Sequence, residues 1–500
     1  MLIAGMGGVH RHGSAALTDG GRLVAVCEQG RVTRVGGVGF NISGLPDEAL
    51  DATLHQIGRV RSDVDRYVTV ASGPTPPVIA SVERMDRHLA HASAAYLSSP
   101  YASAAIVVCD QQPPNVSVFE GRGAQITPVE WPWEGPGPAD LYSRCAAILG
   151  FHSEAGGQRM EALARLRPDE RDDRIDDLLE YDGTRIRVRH DWEGVVEQWR
   201  DAGDPRPGSA SSAALAASLQ ARIIELVLEF LANVRRRVDN DRLCLGGSLF
   251  YHSSINTAIK RSRLYANVFI PVDPGESGLA VGAALRGGGC PPRPASPFLG
   301  PAYSSQDVKA TLDNCKLQYA WESEENSIAI AVEALVNGTL VGWFDGRMEW
   351  GPRALGARCI LASPFAPYVL ENLNRFLKQR EPWRGYALSG SREAVHEHFE
   401  GPGDARFMEC DYRPRDRDRF RHVLPSPEAT LRMQTIDPAS APRFARLLQA
   451  FGAATGIPVL VNTSFNGFRE PIVCSPRDAV RAFYGNGLDL LVFEEFVLRK

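Results

Sequence analysis

The amino-acid sequence predicts an α/β protein of two domains or more, and three observations carry that prediction. The chain has 500 residues, beyond the size at which a single hydrophobic core stops growing. A strand-turn-strand pattern in the first thirty residues returns at residues 104–129, as if one unit had been copied. From there on, helical and strand-like stretches alternate on both sides of a segment dense in glycine and proline, residues 286–304, which reads as a linker between domains.

The first hairpin comprises the apolar run Leu2 to Met6, a second run Ser14 to Leu17, the turn Asp19-Gly20-Gly21 and the return Leu23 to Cys27, a spacing that opens a sheet. In the second copy Ala104 to Cys109 is a buried strand, Asn115 to Phe119 follows, Glu120-Gly121-Arg122-Gly123 turns, and Ala124 to Val129 returns. Apolar residues then recur at helical spacing from Ser211 to Val238, closed by Arg235, Arg236 and Arg237 at the negative end of the helix dipole. Leu243-Cys244-Leu245-Gly246-Gly247 is a buried strand ending in paired glycines, which suits either a tight turn or close approach of the backbone to a ligand. Past the linker, a helix around Ser327 to Val336 and strands at Thr339 to Phe344, Pro458 to Val461 and Leu490 to Phe493 are expected.

Hydrophobic residues make up 44% and charged residues 23% of the chain, and the formal charge is −5. This composition builds a folded globular core and gives no electrostatic reason to expect nucleic acid or an anionic membrane as partner. The nine cysteines form no CxxC pair, which points away from a zinc site or disulfide framework and towards a reducing, cytoplasmic setting. The start, Met1-Leu2-Ile3-Ala4-Gly5-Met6-Gly7, has no basic leader, so neither export nor membrane insertion is expected.

Chemistry concentrates in the C-terminal third. In Gly346-Arg347-Met348-Glu349-Trp350-Gly351-Pro352-Arg353-Ala354-Leu355-Gly356-Ala357-Arg358, glycines and a proline force a loop and three arginines punctuate it. Guanidinium forks grip phosphate or carbonate oxygens bidentately. A second cationic cluster, Lys378-Gln379-Arg380-Glu381-Pro382-Trp383-Arg384, follows a helix ending near Leu377, and the polar run Asn462-Thr463-Ser464-Phe465-Asn466 follows an apolar strand. Each cluster alone also suits a solvated charge run; together they suit an anion site.

These three segments, with Glu470-Pro471-Ile472-Val473, resemble the signatures of the carbamoyltransferases of nodulation-factor, cephamycin and aminoglycoside biosynthesis. His88-Leu89-Ala90-His91-Ala92, Gly246-Gly247 and Gly275-Glu276-Ser277-Gly278 resemble the same family in order, so the likeness spans nearly the whole chain. The resemblance implies a duplicated actin-like (ribonuclease-H-like) domain over residues 1–295, similar to threonylcarbamoyl transferases, and a YrdC-like α/β domain over residues 305–500. It also implies a reaction. Carbamoyl phosphate loses its phosphate, the carbamate attacks the α-phosphate of ATP with Mg²⁺, and the carbamoyl adenylate passes to the N-terminal domain. There a hydroxyl of a specialised metabolite attacks it. A degenerate homologue serving as binding or scaffold subunit, or transfer to another nucleophile such as an amine, are the other readings; a homodimer is the expected assembly.

By the same resemblance, Arg347, Arg353, Arg358, Lys378, Arg380, Arg384, Asn462, Ser464 and Asn466 would bind carbamoyl phosphate and the adenylate. Glu349 and Glu381 would pair with these arginines. His12, His88, His91 and Asp110 would be catalytic, and Gly246, Gly247, Tyr251, Gly275 and Glu276 would hold nucleotide or acceptor. The family's Fe²⁺ or other divalent cation would keep His91 and find Glu276 where an aspartate is usual, but Arg87 stands where the other histidine ligand is usual. An arginine cannot ligate, so Arg87 is expected to pair with Glu276 or contact a phosphate in place of a tightly held metal. Four further positions or segments depart from the family: His12-Gly13, Asp110-Gln111-Gln112-Pro113-Pro114, Tyr251 where an asparagine is usual, and Gly156-Gly157-Gln158-Arg159-Met160-Glu161.

Overall fold

The computed structural model describes residues 1–70 and 82–500. Strands β1 (Leu2–Gly7), β2 (Ser14–Asp19), β3 (Arg22–Glu28), β4 (Arg66–Val70) and β5 (Val82–Met85) form one five-stranded sheet. Strands β6 (Ser103–Cys109), β7 (Val116–Arg122) and β8 (Gln125–Val129) form a second, completed after a small hairpin, β9 (Leu179–Tyr181) and β10 (Ile186–Val188), by β11 (Arg242–Gly246) and β12 (Asn267–Phe269). The orders β3-β2-β1-β4-β5 and β8-β7-β6-β11-β12 are equivalent: a three-stranded antiparallel meander, then two parallel additions beside its first strand. The copied hairpin thus belongs to a copied sheet, in the actin-like arrangement.

The second hairpin turns later than expected. β7 runs through Gly121 to Arg122, which pairs with Gln125, and the turn rests on Gly123 at φ 56°, a backbone angle that glycine adopts without strain. Helices Arg87–Leu97 and Glu276–Gly288 pack against each other between the sheets, and Gly282 allows the contact: a Cβ there would lie 2.0 Å from the Ala90 carbonyl oxygen. Glu276–Gly288 absorbs the first residues assigned to the linker, which therefore begins one turn later. The long helix is Ala210–Arg237, capped by the Ser209 side chain on Ser212 N–H.

Beyond the linker, β13 (Ala320–Trp321), β14 (Val341–Phe344), β15 (Arg358–Ala362), β16 (Ala387–Ser391), β17 (Phe399–Glu400), β18 (Cys410–Pro414), β19 (Leu431–Ile436), β20 (Val459–Ser464), β21 (Leu490–Phe493) and β22 (Phe496–Arg499) make one ten-stranded mixed sheet. Alternation splits its side chains between two cores. Val341, Trp343, Cys359 and Leu361 face one, while Phe344, Ile360 and Ala362 face the other. The linker and its neighbours are fastened to this part by Arg347, whose guanidinium donates to the carbonyls of Leu299 (2.7 Å) and Val24 (2.9 Å), and by Trp350 Nε1 on the Ser296 carbonyl (3.0 Å). Among the described residues all nine cysteines are free and no helix is long and apolar enough to cross a membrane.

Candidate functional site

The loop between β14 and β15 is shaped from within by Glu349. Its fully buried carboxylate accepts the backbone N–H groups of Leu355 (2.6 Å), Ala357 (3.2 Å) and Arg358 (3.2 Å). The sequence suggested a pairing with arginine side chains; buried peptide donors claim the oxygen instead. This loop presents Arg353 to a cavity of about 260 Å³ lined also by Arg380 and Arg384, by Arg432 of β19 and by Arg165, which caps helix Gly156–Ala164. Among the described residues, five guanidiniums and no carboxylate are in its lining, together with Tyr386, Thr430, Thr463 and Ser464. Burial, then the Arg432 guanidinium, pushes the pKa of Arg353 down to about 9; burial, then Arg380, does the same to Arg384. Cations so crowded are stabilised by an anion among them.

Just behind the lining lie two buried carboxylates. Glu161 accepts from Arg432 (2.7 Å) and Arg165 (2.9 Å). Asp411 accepts from Arg165 (2.8 Å). Ser253 Oγ touches both arginines, at 2.6 Å and 2.8 Å. Each carboxylate thus engages an arginine across the seam between the two parts of the chain. Arg432, Arg165, Glu161 and Asp411 fall outside every segment the sequence marked as an anion site. They are single residues on separate elements, and only Glu161 sat in a segment already seen as unusual.

Several expected contributors do other work. Arg347 is the fastener described above. Arg358 is fully buried, donates to the carbonyls of Asp345 (2.8 Å), Ala357 (3.1 Å) and Gly346 (3.2 Å), and lies 3.5 Å over the Phe344 ring. Neither arginine lines the cavity, because both spend their guanidiniums on backbone carbonyls inside the fold. Lys378 spends its ammonium on the Ser464 carbonyl (2.6 Å) and on the carbonyl (3.1 Å) and side-chain oxygen (2.6 Å) of Asn466. Burial, with Arg380 nearby, lowers its pKa well below the usual value. Asn462 borders the cavity but lies inside β20, which extends to Ser464, and its amide donates to Ser389 Oγ (2.9 Å) and the Ala354 carbonyl (3.1 Å). Arg380 reaches the lining while bonded to Asn374 (2.8 Å) and stacked on Tyr386 (4.0 Å). Glu381 pairs with Arg159 and stands 3.9 Å from Arg384.

In the N-terminal part, Asp86 caps helix Arg87–Leu97 and sends Arg87 between two acids. Its Nε donates to Asp110 Oδ2 (2.7 Å), and its two terminal nitrogens engage both Glu276 oxygens. Burial alone would raise the Asp110 carboxyl, but His91 and Arg87 hold it well below the ordinary carboxylate range. The other Asp110 oxygen takes Ser248 N–H (3.2 Å). His91 Nε2 stands 3.5 Å from the same Asp110 oxygen that Arg87 holds. A divalent cation reaching His91, Asp110 or Glu276 would meet a permanent positive charge among its own ligands, so this donor set does not fit one.

His88 is spent on Ser117 Oγ (2.8 Å) and the Gln112 carbonyl (3.4 Å). His12, at φ 54°, faces Glu154 (3.4 Å). Gly246 ends β11 against the His91 carbonyl, and Gly247 turns the chain at φ 99° into Ser248–Tyr251. Tyr251 donates to Asp273 (2.6 Å) and accepts Glu276 N–H (3.1 Å), with Gly275 flush against its ring. A second cavity of about 620 Å³ is bordered by His12, Gln111, Ser248, Tyr251, His252 and Glu276 on one side and by Asn466 and Arg469 on the other. Gln158, Pro352 and Ser464 border both cavities.

The chain matches known proteins along most of its length. The family described as Carbamoyltransferase N-terminus matches residues 77–285, and Carbamoyltransferase C-terminus matches residues 332–500. An uncharacterized protein of Synechocystis sp. is 31% identical over 476 residues, covering 85% of this chain and 77% of its own. The nodulation protein NolO of Bradyrhizobium diazoefficiens is 30% identical over 335 residues, or 65% of this chain and 61% of its own. NolNO of Sinorhizobium fredii is 26% identical over 539 residues, with shares of 98% and 79%. Among solved structures, full-length HypF in a phosphate- and nucleotide-bound form aligns with a TM-score of 0.41 and 11% identity, over 57% of this chain and 55% of that one.

Proposed function

Because the chain belongs to the carbamoyltransferase family, we propose that it activates carbamoyl phosphate with ATP in the arginine-lined cavity and passes the carbamoyl group to a hydroxyl of a small metabolite at the second cavity. The observation that carries this reading is the five-arginine lining with no carboxylate in it. Carbamoyl phosphate, carbamate and the triphosphate of ATP are all anions, and forming the mixed anhydride gathers their charge at one point, where guanidiniums stabilise it. Arg353, without a hydrogen-bonding or ion-paired partner among the described residues, is the free fork for the phosphoryl group. Arg380 and Arg384 approach it from the loop after Leu377, while Thr463 and Ser464 supply neutral donors.

ATP enters as its Mg²⁺ complex, and the residues named here handle only the phosphates. The shared border of Gln158, Pro352 and Ser464 supports short passage of the adenylate to the second cavity, where the acceptor alcohol waits. Residues 305–500 then act as the activating unit, similar to YrdC, and residues 1–295 as the transfer unit. In the transfer unit Arg87 neutralises Asp110 and Glu276, and no step is assigned to a metal. Incubation of the protein with ATP, Mg²⁺ and carbamoyl phosphate tests the reading. AMP, pyrophosphate and phosphate in equal amounts are expected; nucleotide left intact in the presence of carbamoyl phosphate counts against it and for a binding subunit.

A further inference from the structure

The geometry points to His252 as the general base of the transfer step, with Glu161 positioning its imidazole and Gly157 leaving its reactive edge open to the second cavity. This rests on the reading of the chain as an adenylate-forming carbamoyltransferase. Two histidines border that cavity, His12 and His252. His12 is 45% exposed and tied to Glu154, which also holds Arg11. His252 is 7% exposed and sits at the N-terminal boundary of helix Ser253–Ser262, where the turn from Gly247 delivers it to the cavity wall.

The ring plane is fixed. It stacks on Tyr142 with centroids 4.0 Å apart and 27° between planes, and Tyr142 is itself anchored by its hydroxyl on Gln220 (2.7 Å). Nδ1 is buried without a hydrogen bond, 3.7 Å from Glu161 Oε2. A small closure would convert this into the hydrogen bond that selects the tautomer with Nε2 free, as carboxylates do behind catalytic imidazoles. The Nε2 edge faces Gly157, where a Cβ would lie 3.1 Å from Nε2 and 2.9 Å from Cε1. Any larger residue at 157 would therefore cover the nitrogen.

Glu161 cannot itself be the base. Its oxygens accept from Arg165, Arg432 and Ser254 N–H (3.0 Å), and although burial opposes ionisation the two arginines hold its carboxyl well below the ordinary range. The groups facing His252 are Glu161, Arg165, Arg432 and Tyr142; burial first, then the arginines, lowers its pKa against the pull of Glu161. The imidazole is thus neutral near pH 7 and able to take a proton.

In the step, the acceptor O–H proton moves to Nε2 as the hydroxyl oxygen bonds to the carbamoyl carbon. The bond from that carbon to the phosphate oxygen of the adenylate then breaks, and AMP departs with the electron pair. Nε2 releases its proton to solvent, so that alcohol and carbamoyl adenylate give carbamate ester, AMP and one proton.

The test uses the full chain with ATP, Mg²⁺, carbamoyl phosphate and glycerol as probe acceptor. Exchange of labelled pyrophosphate into ATP reports adenylate formation, and AMP release to glycerol and water reports its discharge. His252→Gln should lower the ratio of AMP release to exchange by about 100-fold and flatten the rise of that ratio with pH. Gly157→Ala should lower it as well. An unchanged ratio in His252→Gln overturns the assignment, whereas no exchange in the unaltered protein counts against the underlying carbamoyltransferase reading. A readout independent of turnover is diethyl pyrocarbonate, which modifies neutral, accessible imidazoles. Mapped by mass, it should label His252 in the folded protein, and about tenfold more slowly in Gly157→Ala. His252 left unlabelled until the chain is unfolded would overturn the proposal.

Discussion

Two arginines six residues from one another on either side of the same loop sequence, Arg347 and Arg353, and a third at its end, Arg358, look alike in the sequence and differ completely in their surroundings. Arg353→Ala should cost carbamoyl-dependent AMP formation about 100-fold or more with little change in melting temperature, and Arg353→Lys should stay impaired, since a point charge does not replace a fork. Arg358→Ala should do the reverse. It leaves the Asp345 and Gly346 carbonyls without the donors Arg358 gave them and a void over Phe344, a loss of about 3–5 kcal/mol measurable by urea unfolding.

Arg87 gives a prediction with a pH signature. Asp110 is held below its ordinary value, so the stability it contributes is complete above the unfolded carboxylate value of about 3.9 and is lost as pH falls through the lower folded value. Arg87→Ala should therefore destabilise the protein by about 3–5 kcal/mol at neutral pH, with the gap to the native chain closing on acidification. A gap that widens in acid would mean that Arg87 is not what holds Asp110 ionised. Arg87→His, assayed for bound iron and zinc beside the native chain, should acquire metal while the native chain binds none; equal metal in both would show that the guanidinium does not exclude it.

At the scale of elements, the loop carrying Arg380 and Arg384 is fixed partly by the other half of the molecule. Trp383 packs against the N-terminal core, 6.2 Å from Phe151, and Glu381 pairs with Arg159. Trp383→Ala, which removes no cavity-lining group, should raise KM for carbamoyl phosphate about tenfold while thermal stability falls only slightly; an unaltered KM would show that the loop holds its shape alone. The elements most legible in the sequence were those with strong periodicity and clear punctuation: both hairpins, the helix at Ala210–Arg237 and the strands β14, β20 and β21. Strands such as β4, β5 and β16 to β19 are short and their pairing is non-local, so nothing within a few residues announces them. The same reasoning explains the site. The loop of Arg353 carried its own glycines and proline, whereas Arg432 and Arg165 become site residues only when β19 and the end of helix Gly156–Ala164 meet across the seam.

In the whole molecule two cavities lie side by side, with Gln158, Pro352 and Ser464 bordering both and the Glu161, Arg165, Asp411 and Arg432 network behind. Each half contributes to the arginine cavity, so the two halves of the chain build that cavity jointly. The measurement that tests this most directly is carbamoyl-phosphate-dependent exchange of pyrophosphate into ATP, compared between the native protein and Arg353→Ala. Exchange should require carbamoyl phosphate and fall about 100-fold or more in the variant. Exchange that persists undiminished without Arg353, or its absence from the native protein, would contradict it.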